Sequence, residues 1–176
     1  MNSRMDITDA ESKSEFSANL NIFRQIEFFS GVSMDVIKLF AFLCKRQSYK
    51  PGDAIFLQDD DDQCAYYILS GAAKLVLKKD GKEYMIREYG AENYIGVLCV
   101  MAPMVKQFSL VATADTTCIV MTRKAFSKVA DQFPDTVLKI ARVIGQRLAN
   151  AERKCIMEFE SEKREDIRNL LGISLI

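Results

Sequence analysis

The sequence predicts a mainly β fold with flanking α elements: a double-stranded β-helix, or jelly roll, with helices before it and a long helix after it. Three observations carry this prediction. Roughly eight short apolar runs, joined by Gly and Asp turns, occupy the middle of the 176-residue chain. Helix-period apolar stripes flank them on both sides. Between two of the runs stands Asp80-Gly81, the dipeptide of a two-residue hairpin turn. The expected organisation is a disordered tail over 1–14, a β-roll with flanking helices over 15–133 and a C-terminal dimerisation helix over 134–171.

The polar, acidic start of the chain lacks an apolar stripe and reads as a frayed tail. From Phe16 the pattern turns helical, with Leu20, Phe23 and then Ile26 on one face. A break at Ser30-Gly31 precedes a second helix, for which Ser33 is the expected cap and Val36, Ile37, Phe40 and Leu43 the buried stripe.

Lys50-Pro51-Gly52-Asp53 is a turn signal, and Ala54–Leu57 behind it a short strand. Asp59–Asp62 is a run of four carboxylates. It lacks the alternating spacing, central glycine and distal glutamate of a calcium loop, so it is expected to be a solvated hairpin tip. Ala65–Leu69 and Ala73–Lys78 read as strands. Beyond Asp80-Gly81, Tyr84, Ile86 and Glu88 follow with period two, and Tyr94-Ile95, Phe108–Ala114 and Cys118–Met121 complete the set. Helices resume at Arg123, with Phe126, Val129, Ala130 and Phe133 expected to face inward, and Pro134 opens the last helix at its first turn.

On that helix Val137, Ala141, Ile144, Leu148, Ala151 and Cys155 are spaced 4, 3, 4, 3 and 4. A period of 3.5 is that of a coiled-coil seam, although a helix packed on its own barrel also needs a stripe. The seam of a homodimer is the expectation. The charged run Glu160–Asp166 continues the helix, and Ile167, Leu170 and Leu171 follow it before Gly172, which suits a C-terminal cap.

Composition narrows the function. Lys plus Arg and Asp plus Glu balance at 24 each, so no global field draws the chain to nucleic acid or an anionic membrane. There is no histidine, which removes the commonest general base, the Ser-His and Cys-His dyads and the usual nitrogen ligand of zinc or haem. The five cysteines, Cys44, Cys64, Cys99, Cys118 and Cys155, form no Cys-x-x-Cys and lie in apolar surroundings, as reduced buried thiols do. No signal peptide and no membrane-spanning run is evident. A cytoplasmic protein with no catalytic residues, no metal and no cofactor is expected.

Tyr49-Lys-Pro-Gly-Asp-Ala-Ile-Phe56, Gln58, Tyr67-Ile-Leu-Ser-Gly71, Gly90, Tyr94-Ile-Gly96, Ser109, Ala112, Ala114 and Arg123-Lys-Ala-Phe126 carry a resemblance. With two helices before them and two after, they resemble the sensor domain of the catabolite-activator and fumarate–nitrate regulator superfamily over about residues 20–157. The resemblance implies a cyclic-nucleotide cassette. There a Gly-Glu pair leads to an Arg and a small residue; the glutamate accepts the ribose hydroxyl and the arginine neutralises the phosphate, which backbone amides cradle. Here the cassette spans Gly96 to Ser109. Gly96 and Ser109 keep their places, while Val97 stands where the glutamate belongs and Phe108 where the arginine belongs.

Losing the acceptor for a buried hydroxyl costs roughly 1–3 kcal/mol, and an unneutralised phosphate costs roughly 3–5 kcal/mol more. Together they weaken binding at least about a thousandfold. The candidate ligand-binding residues are therefore Gly96, Val97, Leu98, Cys99, Lys106, Phe108 and Ser109 of a degenerate cassette. Its apolar members, with Val100, Met101, Met104 and Val105, are expected to fill the barrel, or else to receive an apolar or weakly acidic effector. Haem-sensing relatives depend on a histidine and iron–sulfur relatives on an N-terminal cysteine cluster; neither pattern is present. Only about twenty residues follow Cys155, too few for the helix-turn-helix of transcription factors in the superfamily, so no DNA binding by this chain is expected. The leading expectation is a homodimeric, non-catalytic regulatory module that responds to a small effector or a protein partner. The alternative is a true cyclic-nucleotide sensor with an atypical cassette built on Lys106 and Ser109.

Overall fold

Helices enclose the strands at both ends, in the predicted order. The structure, a computed structural model, describes residues 14–157, with side chains as far as Lys154. The tail over 1–13 and the apolar end beyond Phe159 lie outside the described residues. The chain begins with α1 (14–23), a 3-10 turn (Glu27–Phe29) and α2 (Met34–Leu43). The strands are β1 (Lys45–Tyr49), β2 (Ala54–Phe56), β3 (Cys64–Ser70), β4 (Ala72–Lys79), β5 (Lys82–Gly90), β6 (Tyr94–Ile95), β7 (Ser109–Ala112) and β8 (Thr116–Thr122). A short helix, α3 (Val97–Met101), interrupts them; α4 (Arg123–Gln132) and α5 (Pro134–Met157) close the chain.

The strands pair antiparallel into two four-stranded sheets, ordered β1-β8-β3-β6 and β2-β7-β4-β5. Apart from the β4–β5 hairpin, consecutive strands change sheet, which is the jelly-roll arrangement. Between the sheets lies a core of Tyr49, Ile55, Phe56, Tyr66, Ile68, Leu75, Leu110 and Cys118. The outer face of the first sheet is covered by helices, through Phe23, Phe28, Phe29, Phe40, Val129 and Ile140 against Ala65, Ile119 and Met121. Strand β8 is therefore covered on both faces, and this is why Cys118–Met121 reads as a continuous apolar run rather than an alternating one.

Several local expectations change. Strand β1 has four exposed residues of five and is held by its ladder to β8, from Lys45↔Val120 to Tyr49↔Thr116, rather than by apolar burial. Ser33 stands at the N-cap of α2, but its side chain makes no capping bond. Asp80 and Gly81 both take positive φ, 52° and 72°, as a type I′ turn requires, yet β5 beyond them is exposed on both faces over most of its length. Period two there does not sort core from solvent, because the end of the β4–β5 hairpin carries no layer over it. Phe133, expected inward, is 36% exposed; it forms the one-residue joint between α4 and α5.

Helix α5 packs on its own domain through Thr136, Ile140 and Val143, a stripe one position off the predicted seam. Of the seam itself Val137 and Ile144 are half-buried, whereas Ala141, Leu148 and Ala151 are exposed; the Cys155 side chain is outside those described. No described helix is long and apolar enough to cross a membrane.

Candidate ligand site

The site begins at a glycine. Gly96 ends the β6 segment with φ 81° and acts as the N-cap of α3, a conformation that side-chain-bearing residues resist. Close approach adds a second reason for glycine: a Cβ there would fall 2.7 Å from Lys106 Nζ and 2.8 Å from the Cys64 carbonyl oxygen. The backbone thus turns directly over the end of Lys106.

Lys106 is only 4% exposed, and its ammonium is fully engaged. It lies 3.0 Å from Asp62 Oδ1, donates to the Cys64 carbonyl at 2.7 Å, and sits 4.5 Å above the Phe56 ring centroid and 5.6 Å from that of Tyr66. Asp62 is satisfied in turn, accepting from the Tyr66 hydroxyl at 2.8 Å and the Cys64 amide at 3.0 Å. Burial and this bond to an anion push the Tyr66 phenol well above its ordinary value.

Asp61, next along the same loop, receives a two-pronged ion pair from Arg123 at 2.7 and 3.0 Å. The guanidinium holds the Asp61 carboxyl below the ordinary carboxylate range. Arg123 also donates to the carbonyls of Cys99 at 2.8 Å and Ala102 at 3.0 Å, and so caps the C-terminal end of α3. Reciprocal backbone bonds tie the loop to the cassette, from Asp59 N to the Lys106 carbonyl and from Lys106 N to the Asp60 carbonyl. The expectation of a solvated tip is therefore corrected for Asp61 and Asp62, which turn inward to neutralise two cations. A run of four acids gave no hint of this, because both partners lie more than forty residues away in the chain.

Between α3 and α5 lies a cavity of about 480 Å³. Its walls include Leu75, Leu98, Met104, Val105 and Phe108 on the roll side, and Ile144, Arg147 and Leu148 on α5. Leu98, Met104 and Val105 are 43%, 39% and 47% exposed, so these three do not fill the barrel, whereas Val100 is buried and Phe108 packs against the core between the sheets. Gly96, Val97, Cys99 and Lys106 also border the cavity, whereas Ser109 does not; its hydroxyl accepts from the Gln58 amide at 2.9 Å, inside the roll. The structure thus brings together around the cavity every candidate ligand-binding residue but Ser109, while Val100 and Met101 of the cassette turn to the helix-side core.

Three contributors escaped the sequence reading. Tyr89 lines the wall from β5. Tyr94 lines it too, with a buried hydroxyl that has no hydrogen-bond partner among the described residues. Arg147 lies 4.1 Å over the Tyr94 ring and forms an ion pair with Glu27 at 2.8 Å. Both cations near the cavity are thus already matched by carboxylates of the same chain.

A two-sheet roll, a short helix launched from a left-handed glycine and a long helix walling the space beside it define the architecture of a regulatory β-roll domain. The comparison with protein families makes this specific: residues 46–133, half of the chain, match the cyclic nucleotide-binding domain, and the chain belongs to that family. Lysophospholipase nte1 of Aspergillus terreus is 29% identical over 112 residues, covering 63% of this chain and 7% of that protein. The chain spans less than a tenth of the length of the curated relatives it matches. Among solved structures, a cyclic nucleotide-binding domain from Methylobacillus flagellatus superposes with a TM-score of 0.66 at 18% identity, covering 86% of this chain and 88% of that one. The catabolite activator protein of Thermus thermophilus gives 0.62 at 23% identity, covering 74% and 62%. The chain thus has the cyclic nucleotide-binding fold.

Proposed function

We propose that the chain is a non-catalytic sensor module that does not take cyclic AMP or cyclic GMP in the manner of its family, and that it acts as a homodimer through α5. One observation carries the first part. Lys106, the one cation within the cassette, is buried against Asp62, so a ligand phosphate would have to displace an internal carboxylate from an ammonium 3.0 Å away. Phe108 supplies no guanidinium in its place, and Val97 no acceptor for a ribose hydroxyl. Ser109, the other member of the atypical cassette, is engaged with the Gln58 amide inside the roll and does not line the cavity.

The homodimer reading is supported by exposed apolar residues of α5, Leu138 at 62% and Leu148 at 54%, the latter also bordering the cavity, with Ala141 and Ala151 on the same side as Leu148. The four described cysteines are free, in keeping with a reducing, cytoplasmic setting.

Titration calorimetry with cyclic AMP, cyclic GMP and cyclic di-GMP tests the reading. No binding tighter than about 1 mM, near −4 kcal/mol, is expected for any of the three. A micromolar dissociation constant for the unmodified protein would overturn it.

A further inference from the structure

Building on the sensor reading above, we propose that the cavity between α3 and α5 binds an electrically neutral, mainly apolar small molecule. Size comes first. At about 480 Å³ the space lies within the range of small-molecule sites, roughly 300–1,000 Å³. Its lining is built for hydrocarbon or aromatic surface: Leu98, Met104, Val105 and Leu148 remain 39–54% exposed, and Met104 gives one wall an adaptable, unbranched side chain.

Charge then narrows the class. A ligand anion needs an uncommitted cation, and both candidates are matched internally, Lys106 by Asp62 at 3.0 Å and Arg147 by Glu27 at 2.8 Å. A ligand cation needs an uncommitted carboxylate, and none lines the cavity. A neutral molecule enters without breaking either pair, whereas a charged one must break a pair or remain unneutralised.

Tyr94 contributes ring surface to the wall, under the Arg147 guanidinium at 4.1 Å, while its hydroxyl is buried away from the open space. The weakly acidic effectors open at the level of sequence are disfavoured by the paired cations against their uncharged counterparts.

The test uses the full chain and the neutral fluorescent probe N-phenyl-1-naphthylamine, which carries no oxygen. Probe fluorescence should rise saturably with protein, 1-decanol should reverse it, and decanoate, of equal chain length but anionic, should compete at least about tenfold more weakly. Leu98→Glu and Val105→Glu alter exposed wall residues and should abolish probe binding while the circular-dichroism spectrum and unfolding midpoint stay near those of the parent.

No saturable binding by the folded protein, decanoate competing as well as decanol, or binding that survives both glutamate variants would each overturn the proposal. Displacement of the probe by micromolar cyclic AMP would instead overturn the sensor reading on which the proposal rests. A silent probe together with silent cyclic AMP would sink this inference alone.

Discussion

Gly96 and Lys106 are fitted to one another: the backbone at residue 96 passes so close to the lysine that a Cβ would stand 2.7 Å from its ammonium nitrogen. The same Cβ would meet the Cys64 carbonyl oxygen, the acceptor to which that ammonium donates. One small residue thus lets the cassette helix start directly above a buried ion pair.

Gly96→Ala should therefore be costly for two reasons, left-handed backbone strain and a clash with a backbone carbonyl that cannot swing away. A loss of about 2–4 kcal/mol is expected from urea unfolding. Combining it with Lys106→Met should recover only part of the loss, because Cys64 stays in place.

The Lys106–Asp62 pair should respond unequally to the removal of its partners. Asp62→Ala strands a 4%-exposed ammonium and should cost about 3–5 kcal/mol. Lys106→Met leaves Asp62 with the Tyr66 hydroxyl and the Cys64 amide, so a loss of about 1–2 kcal/mol is expected. Equal losses in chemical denaturation would contradict this account of the pair.

Acid should weaken the loop through Asp61. Its carboxyl titrates below the ordinary value near 4 because Arg123 stabilises the charged form. A depressed folded-state value means a stabilising contribution that is whole above about pH 4 and is lost as pH falls through the folded value. Asp61→Asn should be less stable than the parent at neutral pH, and the gap should close on acidification below about pH 4, as followed by thermal unfolding.

Thiol reactivity should rank by burial. Desolvation pushes Cys44 up to about 12 and Cys118 up to about 11, leaving little thiolate at either. Cys64 is the one partly exposed thiol among the four described side chains. Alkylation of the native protein at mildly alkaline pH, read by peptide mass spectrometry, should modify Cys64 well before Cys44 or Cys118.

Leu148→Glu should separate the two copies if α5 pairs them, since it places a charge on the exposed half of the predicted seam. Sedimentation velocity at micromolar concentration should show a dimer for the parent and a monomer for the variant. A monomeric parent would remove the homodimer from the proposed function.

Where the sequence was legible, local chemistry and global packing agreed. Asp80-Gly81 gave its turn because it is one of the few pairs that suit two successive positive φ values, and Cys118–Met121 gave a strand because helices and the second sheet bury both of its faces. Strand β1 was hidden for the opposite reason: Lys45-Arg-Gln-Ser holds its place by ladder hydrogen bonds to β8, which leave no apolar trace. The substitutions at Val97 and Phe108 were visible from spacing, but the use made of the acidic loop was not. Whether an aspartate faces water or a buried lysine depends on a contact across the roll, and sequence periodicity carries nothing about such contacts. The open space beside Leu98 and Val105 was likewise hidden, since an apolar side chain that lines a cavity looks the same as one that fills it.

Helix α5 joins α4 through Phe133 alone, a residue of non-helical φ and ψ, and touches its own domain chiefly between Thr136 and Val143. Its 24 residues extend about 36 Å, with Ile144 about 15 Å and Met157 about 34 Å from the Pro134 end. The cavity wall at Ile144 and Leu148 therefore stands just past the stretch that Thr136, Ile140 and Val143 anchor, less than two thirds of the way along the described rod. For a stiff rod tilting about its Pro134 end, one ångström at Ile144 would correspond to about two at Met157, a ratio set by residue count alone.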